Sequence, residues 1–396
     1  MKWETLYCPN KDCESYGVPF KKGIMIKYGS SHGKKRALCL GCGRSIFLSY
    51  GTAYFDLETE ATIFEMAIRA LAEGNSIRST ARIVEVDKDT ICDWLNRAAQ
   101  QSRLVVLYHW QNLHIKECQL DELWSFVHTK EQHLESAKLI CESYGDAWVW
   151  IAFAPLWRLV VAFVIGKRTQ QQAALLLKRV RAVSDEHVPF FTSDQWGAYD
   201  EALLKAYGEW YQPQRQGRRG PYPLPQLRPT PNLLYAQVVK RREKGRVVEV
   251  TRKVIFGDAE SINSRLDEST SSTTINTSFV ERDNLTCRER NRRLTRKTTG
   301  FSKELTWMEK QFWLSMAYYH FCLPHKSLRQ KLPEPKATRG SGSPQKWKQV
   351  TPAMAAGMSD HIWSTSELLG YRVPANFLDS LNTISHLFPD FDTVTA

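Results

Sequence analysis

Four cysteines and three carboxylates are the residues of this chain whose types and spacing could do chemistry. Cys8 and Cys13 flank four residues, and Cys39 and Cys42 flank two in the run Cys-Leu-Gly-Cys. Paired thiolates at that spacing suit a tetrahedral structural Zn²⁺ site of the ribbon type. Gly41 and Gly43 let backbone amides turn toward sulfur. The segment between the pairs is basic and includes Lys34, Lys35 and Arg36, which suit phosphates. The other cysteines are scattered and read as ordinary core thiols. The odd total of all cysteines, 9, argues for a reducing compartment and against a disulfide frame.

The carboxylates are Asp121, Asp194 and Glu281. Residues 277–297 read as one helix with Thr277 or Ser278 as N-cap and Glu281 about one turn in. On a helical wheel Arg288 and Arg292 fall within about 20° of Glu281. A carboxylate on an arginine-lined face suits a metal ion and a polyanion together. The plain alternative is a solvated basic helix with an i,i+4 ion pair. Asp121 lies inside a strand pattern, and Asp194 ends a short buried strand. Both placements are costly without a compensating charge. Two-metal phosphoryl transfer supplies such a charge and draws its carboxylates from separate elements. Oxygen ligands favour Mg²⁺ and permit Mn²⁺.

The elements that must position these groups follow from periodicity. Residues 58–102 read as three short helices. Ile63, Met66, Ala67 and Ala70 form one stripe, Gly74-Asn75-Ser76 a turn, and Asp87 caps a third helix with Ile91, Trp94, Leu95 and Ala98 inward. A short helix, a tight turn and a capped helix match helix-turn-helix geometry, with Lys88, Thr90, Asn96 and Arg97 outward toward DNA. From Glu117 onward three strands, a helix, a strand and a helix describe an α/β fold with a mixed sheet. The interval 209–276 reads as an insertion: an irregular basic loop, a hairpin of residues 235–240 and 246–256, and a mobile Ser/Thr-rich run. A further helix spans 307–321, a Pro/Gly/Ser/Lys linker follows, and a tail starts near Trp347.

The formal net charge of +12 points toward nucleic acid. The longest apolar run, 147–166, is broken by Pro155 and Arg158 and reads as two strands, so no membrane span is expected. No signal peptide is visible, and a cytoplasmic, nucleoid-associated location is expected.

The segments Leu120-Asp121-Glu122-Leu123-Trp124, Thr192-Ser193-Asp194-Gln195-Trp196 and Phe279-Val280-Glu281-Arg282-Asp283-Asn284-Leu285 together are similar to the insertion-sequence-one family of transposases. So is the continuation from Arg293-Leu294-Thr295-Arg296-Lys297 to Gly300-Phe301-Ser302-Lys303. The resemblance covers about residues 1–325. It implies an RNase H-like DDE catalytic domain with Asp121, Asp194 and Glu281 as the metal-binding triad. It also implies a zinc ribbon over 1–55, a helix-turn-helix over 56–110, a catalytic domain over 111–325 and a tail over 326–396. Double-stranded DNA, at element ends and target, and a second copy of the chain are the expected partners. The expected reaction is metal-dependent cleavage and strand transfer at terminal repeats. A nuclease or resolvase of the same fold, or a transposon-derived DNA-binding regulator, are the alternatives. One departure is visible: the interval before Glu281 is longer than the family's, and it contains Glu260 and Glu268 as rival third carboxylates.

Overall fold

A computed structural model describes residues 1–135, 141, 143–215, 222–338, 340 and 342–391. The chain folds as two units. The first comprises Met1–His109, Glu289–Arg292 and the chain from Thr306 onward; the second comprises Trp110–Arg288 and Arg293–Leu305.

The first unit begins with a three-stranded antiparallel sheet in the order β1 (Met25–Ser31), β2 (Lys34–Cys39), β3 (Ser45–Phe47). Its strands are too short to bury much surface, and its small core is Leu6, Cys8, Cys13, Met25, Ala37, Cys39 and Ile46. Three helices follow: α1 (Ala61–Ala72), α2 (Ile77–Val84) and α3 (Lys88–His109). Ser76 caps α2 by accepting from the Ser79 amide at 3.2 Å, and Asp87 caps α3 by accepting from the Asp89 amide at 2.7 Å. The inward stripe of α3 is the expected one, but that of α1 is shifted. Phe64, Ala67, Ile68 and Leu71 are buried and Met66 is 51% exposed. Phe64 takes the inward place because its ring packs edge-on against Trp94 and Tyr54.

The second unit is built on a six-stranded mixed sheet. β4 (Glu117–Val127), β5 (Gly145–Ala154) and β6 (Leu159–Gly166) form an antiparallel meander. After α4 (Gln170–Val183), β7 (Phe190–Asp194) runs parallel to β4. α5 (Ala198–Tyr207) and the small pair β8 (Glu209–Tyr211) and β9 (Gln226–Arg228) precede β10 (Tyr235–Glu243), which runs parallel to β7. β11 (Arg246–Phe256) turns back antiparallel, so the order is β11-β10-β7-β4-β5-β6. From Ala147 onward β5 is apolar, as is β6, and both are largely buried. α6 (Ala259–Asp267) packs Ile262 and Leu266 on Phe190, Leu234 and Ala236. α7 (Ser278–Arg290) follows. The Ser/Thr run before α7, expected to be mobile, is tied down: Ser272 is buried and donates to Glu117 Oε1 at 2.6 Å. A buried carboxylate needs such donors, and the run supplies them.

α8 (Leu305–Cys322) is counted almost wholly in the first unit, although the sequence reading grouped it with the catalytic segment. The expected linker contains a hairpin, β12 (Gln330–Lys336) with β13 (Gln345–Lys348). The tail continues as α9 (Pro352–Ala355), α10 (Thr365–Gly370) and α11 (Ala375–Ile384). Arg372 fastens it to the N-terminal segment. This buried guanidinium donates to the carbonyls of Tyr50 (2.7 Å), Lys2 (3.3 Å) and Leu48 and to Thr5 Oγ1 (2.7 Å). Arg372→Met leaves those acceptors unpaired and is expected to destabilise the first unit by at least about 2 kcal/mol in urea unfolding. A loss under about 0.5 kcal/mol would show that the tail docks through its apolar contacts alone.

Candidate functional site

The four cysteines of the first unit converge. Their sulfurs all lie within 4.8 Å of one another, with Cys8–Cys42 at 3.6 Å and Cys13–Cys39 at 3.7 Å. A tetrahedron of sulfurs about 2.3 Å from Zn²⁺ has an edge of roughly 3.8 Å. The thiols therefore sit at the spacing zinc requires. Gly41 has no side chain for a physical reason, since a Cβ there would meet Cys13 Sγ at 3.1 Å. Gly43 takes φ +68° and donates its amide to Cys39 O at 2.9 Å, closing the knuckle. The Arg44 amide draws the Cys42 thiol down to about 7, the direction that favours the thiolate a metal needs.

In the second unit strand register does the positioning. Gln119 lies opposite Thr192 and Leu120 opposite Ser193; Val238 lies opposite Asp194. Because side chains alternate along a strand, Asp121, Asp194 and Lys240 share one face. α7 lies on that face because Gln119 caps it. Gln119 Oε1 accepts from the amides of Phe279 (3.2 Å) and Val280 (3.1 Å). Asn276 Oδ1 adds the Ser278 amide at 3.1 Å. The expected cap hydroxyl of Thr277 is used elsewhere. Thr277 Oγ1 lies 3.0 Å from Asp194 Oδ1 and 2.7 Å from Glu281 Oε1.

Lys240 joins the same cluster. Its ammonium donates to Asp194 Oδ1 at 3.0 Å, to Glu281 Oε1, and to Thr277 Oγ1 at 3.2 Å. Two carboxylates from distant parts of the chain thus share one cation. Asp121 is held beside them. Its Oδ1 accepts from the Glu122 amide at 2.8 Å, and its Oδ2 accepts from Asn284 Nδ2 at 2.6 Å. Asn284 lies one turn after Glu281, so α7 reaches both acids. Burial, reinforced by the negative charges of Glu122, Asp194 and Glu281, pushes the Asp121 carboxyl up to about 7. The three carboxylates are more widely set than the cysteines, which among the described residues are the one set of three or more ligand atoms within 4.8 Å. Carboxylate oxygens from three elements facing one another fit a hard divalent ion. Glu122 turns to the other face of the sheet, where Arg168 bonds it at 3.0 Å.

The arginines of the Glu281 face are arranged differently from expectation. α7 ends at Arg290, and Arg292–Leu294 form a separate 3-10 turn, so Arg292 is not on that helix. Arg288 is half-buried and committed to backbone, donating to Trp124 O at 3.0 Å and to Leu294 O. Tertiary carbonyls without partners outcompete a solvent-facing role for it. Glu260 and Glu268 are exposed. Of the residues expected to meet DNA, Lys35 and Lys88 are exposed, and Lys34 and Thr90 are partly so. Arg36 stacks over Tyr28 at 5.4 Å. Asn96 and Arg97, expected outward, are half-buried: the Asn96 Oδ1 atom is buried, and Arg97 donates to Phe55 O. The sequence reading missed Lys240, Gln119 and Asn284. Lys240 opens the run Lys-Arg-Arg-Glu and carried no signal that sets it apart, and Asn284 stood unassigned inside the quoted motif.

Residues 115–210 match the family model described as IS1 transposase, a segment that holds Asp121 and Asp194 and ends before Glu281. The insertion element iso-IS1n protein InsB of Shigella dysenteriae is 32% identical over 89 residues, 22% of this chain and 55% of that protein. The chain thus spans about half the length of the curated relative it matches.

Two outcomes follow. Purified protein is expected to carry one zinc per cysteine cluster, and Cys39→Ser to lose it; metal analysis finding no zinc in the wild type contradicts the assignment. Asp121 titrates near 3.8 when unfolded and about 7 when folded. Between those values the folded chain keeps a proton the unfolded chain has lost, so stability falls as pH rises. Asp121→Asn is therefore expected to flatten the fall in melting temperature between pH 4.5 and 7 in Mg²⁺-free buffer, and an unchanged slope would remove Asp121 from the buried cluster.

Proposed function

We propose that the chain is an IS1-type transposase, a reading supported by the family match over residues 115–210 and the 32% identity to the InsB relative, and that it cuts and rejoins DNA at the ends of a mobile element. The observation that carries the reading is the shared cation of Asp194 and Glu281 beside the buried acid Asp121. The strand order β6-β5-β4-β7-β10, with the first three antiparallel and the last two parallel to β4, supports an RNase H-like catalytic unit. The paired cysteines and the capped helices α2 and α3 support a zinc ribbon and a helix-turn-helix that bind terminal repeats. DNA at both element end and target is the substrate, and the chain acts as a homo-oligomer.

Asp121, Asp194 and Glu281 would hold Mg²⁺ or Mn²⁺. When bound there, a hard divalent ion supplies positive charge for in-line attack by water, and later by a 3′-hydroxyl, on a phosphodiester. The chain's own residues prepare that site. Gln119 fixes the start of α7 and so the position of Glu281. Asn284 orients Asp121. Lys240 and Thr277 keep the Asp194 and Glu281 oxygens facing one point, which is the preorganisation that phosphoryl transfer rewards. A DNA-binding regulator has no use for a buried acid beside two further acids that share one cation.

Cleavage of DNA carrying the flanking element ends, with Mg²⁺, tests the reading. Asp121→Asn, Asp194→Asn and Glu281→Gln are each expected to lose at least about 100-fold in rate while DNA affinity is kept. Glu260→Gln and Glu268→Gln are expected to stay within roughly tenfold of wild type. A dead Glu268→Gln beside an active Glu281→Gln would move the third ligand into the insertion. Strand-transfer products on a supercoiled target separate a transposase from a nuclease of the same fold.

A further inference from the structure

The β10–β11 hairpin runs well past the sheet that holds it. β10 pairs with β7 only over Tyr235–Val238, whereas its pairing with β11 continues to Glu243 and Arg246. From 241 to 253 every residue is exposed. At about 3.3 Å per residue the ribbon extends roughly 20 Å beyond Val238. A free β-ribbon with exposed valines carries a cost in solubility, so its surface chemistry is informative.

Its two faces differ. Register places Arg252 opposite Val238, Val250 opposite Lys240 and Val247 opposite Arg242. Val250 and Arg252 follow by alternation, and the register shift that skips Val248 returns Val247 to the face of Arg242, so these lie on the face that carries Asp194. The other face pairs Arg241 with Glu249 and Glu243 with Arg246. There the acids are neutralised, since Arg241 bridges Glu243 at 2.7 Å and Glu249 at 3.0 Å. The face shared with Asp194 has no acid on the ribbon. It carries Lys240, Arg242 and Arg252, with Val247 46% and Val250 45% exposed between them. An extension kept for solubility alone has no reason to place Arg242 and two bare valines together on the side of the carboxylate cluster, in line with Lys240, which bonds Asp194 and Glu281, and Arg252, which donates to Ile275 O at 2.9 Å.

We propose that this face of the ribbon is a DNA-tracking surface that leads duplex to the carboxylate cluster. Lys240 stands at its inner end among the acids, and Arg242 meets phosphates further out. Val247 and Val250 lie against the sugars or thymine methyls of a groove, which admits a two-stranded ribbon. A length of roughly 20 Å matches about six base pairs of duplex at 3.4 Å each. The inference rests on the DNA-cleaving reading, and its test separates the two.

The full-length protein is titrated onto fluorescent duplex carrying the element's flanking end, by anisotropy at several salt concentrations. Arg242→Ala is expected to weaken binding about tenfold and to lower the log–log salt slope by about 0.9, the signature of one lost phosphate contact. Val247→Glu is expected to weaken it at least as much. Lys253→Ala and Thr251→Glu, matched changes on the other face, are expected to stay within about threefold. Hydroxyl-radical footprinting of the wild type, which needs no variant, is expected to show protection over about six base pairs to one side of the cleavage site. Equal losses from both faces, no loss from either, or no one-sided protection overturns the proposal. If Asp194→Asn stops cleavage while Arg242→Ala and Val247→Glu bind and cleave as wild type, the ribbon proposal falls and the cleavage reading stands. Should the wild type neither bind nor cleave the duplex, both fall.

Discussion

Negative charge gathered on one face of the sheet is the constraint that organises the second unit. Asp121, Asp194 and Glu281 come from a strand interior, a strand end and a helix. Burial, reinforced by the charges of the neighbouring acids, pushes the Asp121 carboxyl up to about 7. Lys240 offsets the negative charge by bonding two of the acids at once. A chain that only needed stability would have used apolar residues here, because buried charge clusters are poor stabilisers. The cluster is intelligible as a site kept ready for a doubly charged ion.

The surrounding framework serves the same geometry. Parallel pairing of β4, β7 and β10 brings Asp121, Asp194 and Lys240 onto one face with no adjustable loop between them. Glu281 must then be brought from a helix, and a helix start needs acceptors for its free amides. Gln119 provides them from the same strand and face as Asp121. Gln119 also bonds Glu117, which in turn holds Ser269 and Ser272. The segment entering α7 is thus anchored by side chains of β4, and the long interval before Glu281 does not loosen the acid's position.

Much of this was legible in the sequence because it is written in local patterns. Cysteine spacing gave the cluster in the first unit, and apolar runs gave β5, β6 and α4 nearly to the residue. What was not legible depends on partners distant in sequence. The Arg288 guanidinium looks solvent-facing on a wheel, yet the Trp124 and Leu294 carbonyls claim it. The helix looked continuous to Lys297 on charge pattern, yet it stops at Arg290. The stripe through Met66 and the stripe through Phe64 both fit helical periodicity, and the Trp94 and Tyr54 rings decide between them. Lys240 could not be placed from its neighbours, because its role is set by Asp194 and Glu281, each more than forty positions away. The tail, which had no chemical reading, is explained by Arg372 and the carbonyls it closes.

The central claim is that these three acids form one divalent-ion site. Anomalous diffraction from crystals grown with Mn²⁺ tests it most directly, because the metal's position is located without reference to activity. The account predicts Mn²⁺ density touching Asp121, Asp194 and Glu281, with the Lys240 ammonium moved off at least one of its two carboxylates. Density at Glu260 or Glu268, or no density at Asp194 with the Lys240 bridge intact, would contradict it.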